Sequence, residues 1–276
     1  MGKRYTERLR RLDRVLPSGG GGRALWAPGG TSPVAKTSLP FLLNMDSFST
    51  GSLSTDDGFR TIFPGYDLGD LSITSSPADY NAKTPNTNSI QFPHNDSTGF
   101  LWKFPSGLLD SASEDGIRIA ILIVSANGSY NRECDWYAYL SEENITDDSE
   151  NDDWVRGYTQ YNANTDAWGY TQRIAGSDVN VSAKVGVNTK AAQWFWLRYE
   201  FDTDGTQHLS GLAYFGGTTQ GPYDRTGAFV NKDWQCFGVV AQTADAGPSH
   251  CAAIWVGKLT DAWPTGAPGT TTETWP

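Results

Sequence analysis

The chain has 276 residues, a formal net charge of −10 and three cysteines. That length is enough for a full-sized core, and sandwiches often fill about 200–250 residues as one domain. The 11 Trp, 12 Tyr and 12 Phe, set among 30 Gly and 14 Pro, lean towards strands and turns and away from long helices.

The charge is unevenly spread. Residues 1–14 hold six basic side chains against Glu7 and Asp13, a net of +4, which leaves −14 for the remaining 262 residues. A basic arm on an acidic body is expected to touch something different from what the body touches. Within the arm, Thr6 to Leu16 predicts a short helix. Tyr5, Leu9, Leu12 and Leu16 recur at near-helical spacing, Thr6 can cap the start and Pro17 marks the end. At about eleven residues such a helix needs a partner to form. Gly19–Gly22 then reads as a flexible tether, and residues 23–40 are loop-like, with Trp26 the one large anchor. The Met1–Val15 stretch develops no apolar centre, so no secretory signal is expected. Ile119–Val124, the longest apolar run, is too short to cross a bilayer.

From Phe41 the pattern changes to short strands separated by turns. Expected strands are Leu53–Phe63, Asp70–Ser75, Ser89–Phe92, Thr98–Phe104, Ile117–Ala126, Asp135–Ser141, Trp154–Tyr161, Trp168–Ile174, Val179–Val187, Trp234–Ala241 and Ala252–Leu259. Between them lies Trp194–Phe201, followed by an Asp204-Gly205 turn and a return strand, Thr206–Phe215. Alternation puts Phe195, Leu197, Tyr199 and Phe201 on one face of that strand. Trp194, Trp196 and an ion-pair-capable Arg198/Glu200 couple take the other. A one-residue slip would put the charges in the core, so register should be fixed. Gly157-Tyr158-Thr159-Gln160 recurs as Gly169-Tyr170-Thr171-Gln172, which fits a hairpin around a five-residue loop, Asn162–Asp166. An acidic loop runs from Glu142 to Asp153, and after Trp263-Pro264 the sequence becomes Pro-, Gly- and Thr-rich. The expected organisation is an arm over 1–40, a sandwich over 41–262 and an extended tail over 263–276.

Three stretches carry a resemblance: Trp194–Phe201 with its Asp-Gly turn, Phe237-Gly238-Val239-Val240-Ala241, and Ala252–Lys258 as a closing strand. Their order resembles the C-terminal half of a concanavalin A-like (laminin G/pentraxin-type) jelly roll. The resemblance implies an all-β fold, a two-sheet antiparallel jelly-roll sandwich with the arm and its short helix outside it. That superfamily includes lectins, glycan hydrolases and non-catalytic adhesion or virion modules. A basic helical arm, a Gly tether and a lone jelly roll together resemble structural proteins of tailed bacteriophages. The implied protein is a non-enzymatic virion component used in capsid decoration, or in a tail fibre for host attachment. It would contact other virion proteins through the arm and associate with copies of itself, without membrane insertion.

Retaining hydrolases of this fold set two Glu on one face of a strand, about 5–5.5 Å apart. Here Glu133-Cys134-Asp135 is followed by Tyr137 and Ala138 where the second Glu would stand, so no catalytic residue is assigned. His94, His208 and His250 show no zinc spacing and read as surface or loop residues. The cysteines lack CxxC spacing and their odd count argues for free buried thiols, with Cys236 and Cys251 left open as a pair. Asp147, Asp148, Glu150 and Asp152 supply hard oxygens, so calcium is the one metal with candidate ligands, although the ordered pattern of a dedicated calcium loop is missing. Otherwise no cofactor is expected. Trp154, Tyr158, Tyr161, Trp168 and Tyr170, mixed with Asn and Gln, are the candidate glycan contacts, because sugars stack on aromatic faces while amides take their hydroxyls. In the arm, Tyr5, Leu9, Leu12 and Leu16 with Arg8 and Arg11 are the candidate anchor in a partner's groove. The rival readings are a lectin or glycoside hydrolase of the same fold, and a nucleic-acid binder that uses the arm's arginines on phosphates.

Overall fold

The computed structural model describes residues 34–35, 39–55, 58–62, 67–78, 82, 84–93, 97–103, 116–124, 133–141, 154–162, 165–174, 177–183, 194–202, 208–214, 219–225, 234–244, 248–265, 268 and 273–274. From 159 to 183 and from 208 to 225 the description is of backbone alone. The strands in chain order are β1 (Val34–Ala35), β2 (Phe41–Asn44), β3 (Gly51–Ser52), β4 (Phe59–Thr61), β5 (Ser72–Ser75), β6 (Asn88–Phe92), β7 (Ser97–Lys103), β8 (Gly116–Val124) and β9 (Glu133–Ser141). They continue as β10 (Trp154–Asn162), β11 (Thr165–Ile174), β12 (Ser177–Ala183), β13 (Phe195–Asp202), β14 (His208–Tyr214), β15 (Thr219–Arg225), β16 (Cys236–Ala244), β17 (Ser249–Lys258) and β18 (Glu273–Thr274).

Two sheets face each other. One has seven strands in the order β12-β11-β10-β9-β16-β7-β4; the other has nine, with β15-β14-β13-β8-β17-β6-β5-β3 in line and β2 paired to β17. Every described pairing within them is antiparallel, as the all-β two-sheet expectation requires. A separate parallel pair joins β1 to β18. The helical elements among the described residues are two 3-10 turns, Met45–Ser47 and Leu68–Asp70, capped by Asn44 and Asp67 side chains that accept from Asp46 N and Gly69 N.

Strand β13 sits between β8 and β14, inside the nine-stranded sheet. Phe195, Leu197, Tyr199 and Phe201 belong to the main core between the sheets, with Ile119, Ile121, Ile123, Trp136, Leu140, Phe237 and Ile254. The opposite face is also covered. Trp194 and Trp196 pack there with Ala120, Leu122, Val124, Ala252, Ala253 and Trp255, and Leu42 and Trp263 close over them. Arg198 and Glu200 are buried on this side but do not pair with each other. Residues two apart on a strand lie farther from each other than directly opposed cross-strand neighbours, which approach within about 4.5–5.5 Å. The register opposes Glu200 to Arg118, and Glu200 Oε2 accepts from Arg118 Nε at 2.7 Å. Arg198 donates instead to Pro264 O at 2.6 Å and lies 5.6 Å from the Trp263 ring, with Arg118 4.9 Å from that same ring. Burial and the neighbouring Arg118 both lower the affinity of Arg198 for its proton.

Other expectations shift in detail. Leu53–Phe63 is not one strand: Gly58, at φ +95°, occupies the left-handed region and breaks the run before β4. The β10–β11 hairpin exists, but its ladder continues to Asn162↔Thr165, so two residues rather than five separate the arms. Strand β15, absent from the sequence reading, contains Pro222, which an edge strand tolerates. Cys236 and Cys251 are not joined in a disulfide and are buried on different layers, Cys236 beyond the seven-stranded sheet and Cys251 in the central core. The short arm helix around Leu9, the arm residues Tyr5 to Leu16 and the acidic loop lie outside the described residues.

Candidate functional site

The site is built on the outer face of the seven-stranded sheet. Along β9, Trp136, Ala138 and Leu140 point into the central core, so Asp135, Tyr137 and Tyr139 emerge on the far side. Strand β10 sets Trp154, Arg156 and Tyr158 beside them, because Arg156 opposes Tyr139 and Tyr158 opposes Tyr137. The facing direction of β10 is fixed by Gly157, where a Cβ would collide with the Tyr199 ring of the other sheet. From β16, Gln242 opposes Asp135. Three strands thus assemble one patch of aromatic, amide, carboxylate and guanidinium groups.

The patch is ordered by its arginine. The Arg156 guanidinium carbon lies 5.0 Å from the Tyr137 ring, 5.8 Å from Tyr139 and 4.9 Å from Trp154, and Nη1 donates to Tyr139 Oη at 2.8 Å. Such cation–π contacts contribute about 0.5–2 kcal/mol each, depending on desolvation, and they hold the tyrosines in fixed orientation. Tyr137 and Tyr158 pack at 6.2 Å with planes 34° apart, and Tyr139 meets Trp154 edge-on at 5.6 Å. The Tyr137 hydroxyl donates to Gln242 Oε1 at 3.2 Å and lies 3.5 Å from Asp135 Oδ2. Exposure rises along the patch: Trp154 is buried, Asp135, Arg156 and Tyr158 are half-buried, and Gln242 is exposed. The arrangement therefore offers the half-buried Tyr158 ring, backed by the buried Tyr137 and bordered by an exposed amide and by a half-buried carboxylate and cation.

Of the five aromatic residues singled out in the sequence, this face unites two. Tyr158 is part of the open patch, whereas Trp154 lies beneath Arg156 and supports it. The backbone register sets 168 and 170 opposite Thr159 and Gly157, in the row that alternates with Tyr158, and 161 opposite Asp166. Tyr137, Arg156 and Gln242 escaped the sequence reading. The signal was present in Asp135-Trp136-Tyr137-Ala138-Tyr139-Leu140, where apolar residues alternate with polar aromatic ones. In the hydrolase pattern Tyr137 stands only where a second acid would be.

His250 differs from its expected surface placement. It lies buried in β17 with Nδ1 3.1 Å from Ser89 Oγ, itself fully buried, so the pair is closed to substrate. Burial lowers its pKa to about 4. Among the described residues no cluster of His, Cys, Asp and Glu is suited to hold a metal, and Asp147, Asp148, Glu150 and Asp152 fall outside them.

No family model and no curated relative matches the chain. Solved structures similar in shape include the CBM2 module of an evolved Dit from Lactobacillus casei BL23 phage J-1, at 6% identity and a TM-score of 0.44, covering 70% of this chain and 92% of that one. The exoplasmic/lumenal domain of VIP36 in its Ca2+/Man3GlcNAc-bound form gives 9% identity and a TM-score of 0.46, covering 75% of this chain and 90% of that one. The enzymatically active domain of bacteriophage CBA120 tailspike protein 2 gives 11% identity and a TM-score of 0.45, covering 84% of this chain and 30% of that one.

Proposed function

We propose that this protein is a non-catalytic glycan-binding sandwich carried on a bacteriophage particle, anchored by its basic arm and presenting the outer face of the seven-stranded sheet to a surface polysaccharide. The observation that carries the reading is the patch of Tyr137, Arg156 and Tyr158 bordered by Asp135 and Gln242. Sugar rings present C–H faces that stack on phenol rings, and their hydroxyls need donors and acceptors at the rim; the half-buried Tyr158 ring, seated on Tyr137, and the exposed Gln242 amide supply both on one sheet face. The non-catalytic part is supported by position 137. The second acid of a hydrolase would stand on this face two residues beyond Asp135, and Tyr137 is held there by Arg156 and Gln242. The virion part is supported by the arm's amphipathic basic pattern and its Gly tether.

Calorimetric titration of the full chain with host cell-surface oligosaccharides tests the site. Tyr158→Ala is expected to weaken binding about tenfold, equivalent to about 1.4 kcal/mol, with little change in melting temperature because the ring is only half-buried. Unchanged affinity in that variant contradicts the site, and sugar cleavage by the wild type contradicts the non-catalytic reading. Deleting residues 1–22 tests the anchor: particles should lose the protein, and retention of the truncated chain contradicts it.

A further inference from the structure

We propose that two copies of this chain join edge to edge through β12, antiparallel, about a two-fold axis at Asn180. Among the described residues the two sheets end at β12, β4, β15 and β3, with the four-residue β2 a further short edge beside β17, and a bare edge invites pairing unless it is shortened, interrupted by proline or charged. Strand β3 has two residues and β4 three, and β15 carries Pro222 together with Asp224 and Arg225. Strand β12 has seven residues, Ser177-Asp178-Val179-Asn180-Val181-Ser182-Ala183, with no proline, no basic residue and Asp178 its only charge. Its ladder to β11 runs from Ser177 to Ala183, and among the described residues no strand pairs with its other side.

The sequence of the strand selects the occupant. It is nearly palindromic about Asn180, so antiparallel pairing with a second copy there sets Val179 opposite Val181 twice, Asn180 opposite itself and Asp178 opposite Ser182. Moving the centre to Val179 or Val181 leaves a single Val–Val pair. The one acidic residue meets a hydroxyl residue rather than its own copy, so the register avoids like-charge opposition. A two-fold axis of this kind is perpendicular to the sheet, and the shared interface is isologous. It fuses two seven-stranded sheets into one continuous sheet and leaves their outer faces on the same side. The register row Tyr139–Arg156–Thr171–Asn180 then runs across the axis into its counterpart. The pairing does not depend on the glycan reading, and its test contains no sugar.

Sedimentation of the full chain over a range of micromolar concentrations provides the test, with circular dichroism to verify folding of each variant. The wild type is expected to dimerise. Asn180→Lys and Asn180→Glu, each placing a like charge opposite itself, should each weaken self-association about tenfold or more. An equimolar mixture of the two should restore the dimer. A wild type that stays monomeric, an Asn180→Lys chain that dimerises as before, or a mixture that stays apart would each overturn the proposal.

Discussion

His250 contributes to the pH response of the fold through one buried imidazole. Its folded pKa is lowered from 6.5 to about 4 by burial, so between those values the unfolded chain binds the extra proton and the folded chain does not. Stability is therefore intact above pH 6.5 and falls as pH drops towards about 4, by a total of about 3 kcal/mol. His250→Gln, which keeps a polar partner for Ser89, should flatten that decline in urea melts taken from pH 7 to pH 4. Asp46, whose proton affinity is raised by burial, acts in the opposite direction and is unchanged in the variant, so the difference between the two proteins isolates His250. An identical slope in the variant contradicts the assignment. The neutral spacing of the histidines gave no hint of this burial. It depends on β17 lying between β6 and β8, which only the sheet order reveals.

At the scale of the element, β10 and β13 show what alternation can and cannot disclose. The two faces of Trp194–Phe201 follow from period-two patterning, and both are occupied as that pattern requires. Which carboxylate meets which guanidinium does not follow, because Arg118 stands 82 residues before Glu200 and reaches it only through the β8–β13 register. The candidate site divides in the same way. Tyr158 is visible in the repeated Gly-Tyr-Thr-Gln hairpin of β10 and β11, but Tyr137 and Gln242 join it from β9 and β16, whose adjacency no local spacing encodes. Gly157 couples the two sheets at this point. With the Tyr199 ring against its Cα, Gly157→Ala must displace an aromatic ring of the core, an overpacking that costs about 1–3 kcal/mol. Its melting temperature should fall measurably, while Gly69→Ala, facing only the Asp67 side chain, should fall less. Equal losses in the two variants would refute the close approach between sheets.

At the scale of the molecule, apolar packing among the described residues occurs on three levels: between the sheets, beyond the nine-stranded sheet under Trp263, and beyond the seven-stranded sheet around Tyr139 and Trp154. The first two hold the sandwich together, and Asp261 and Pro264 fasten the chain over the second through Arg118 and Arg198. The third level grades outward into the half-buried Tyr158 and the exposed Gln242, where the glycan site is proposed. The most direct measurement of that claim is a nuclear magnetic resonance titration of the full chain with host-surface polysaccharide fragments. The account predicts shifts centred on Asp135, Tyr137, Arg156, Tyr158 and Gln242; shifts that leave these five unmoved while others respond would contradict it.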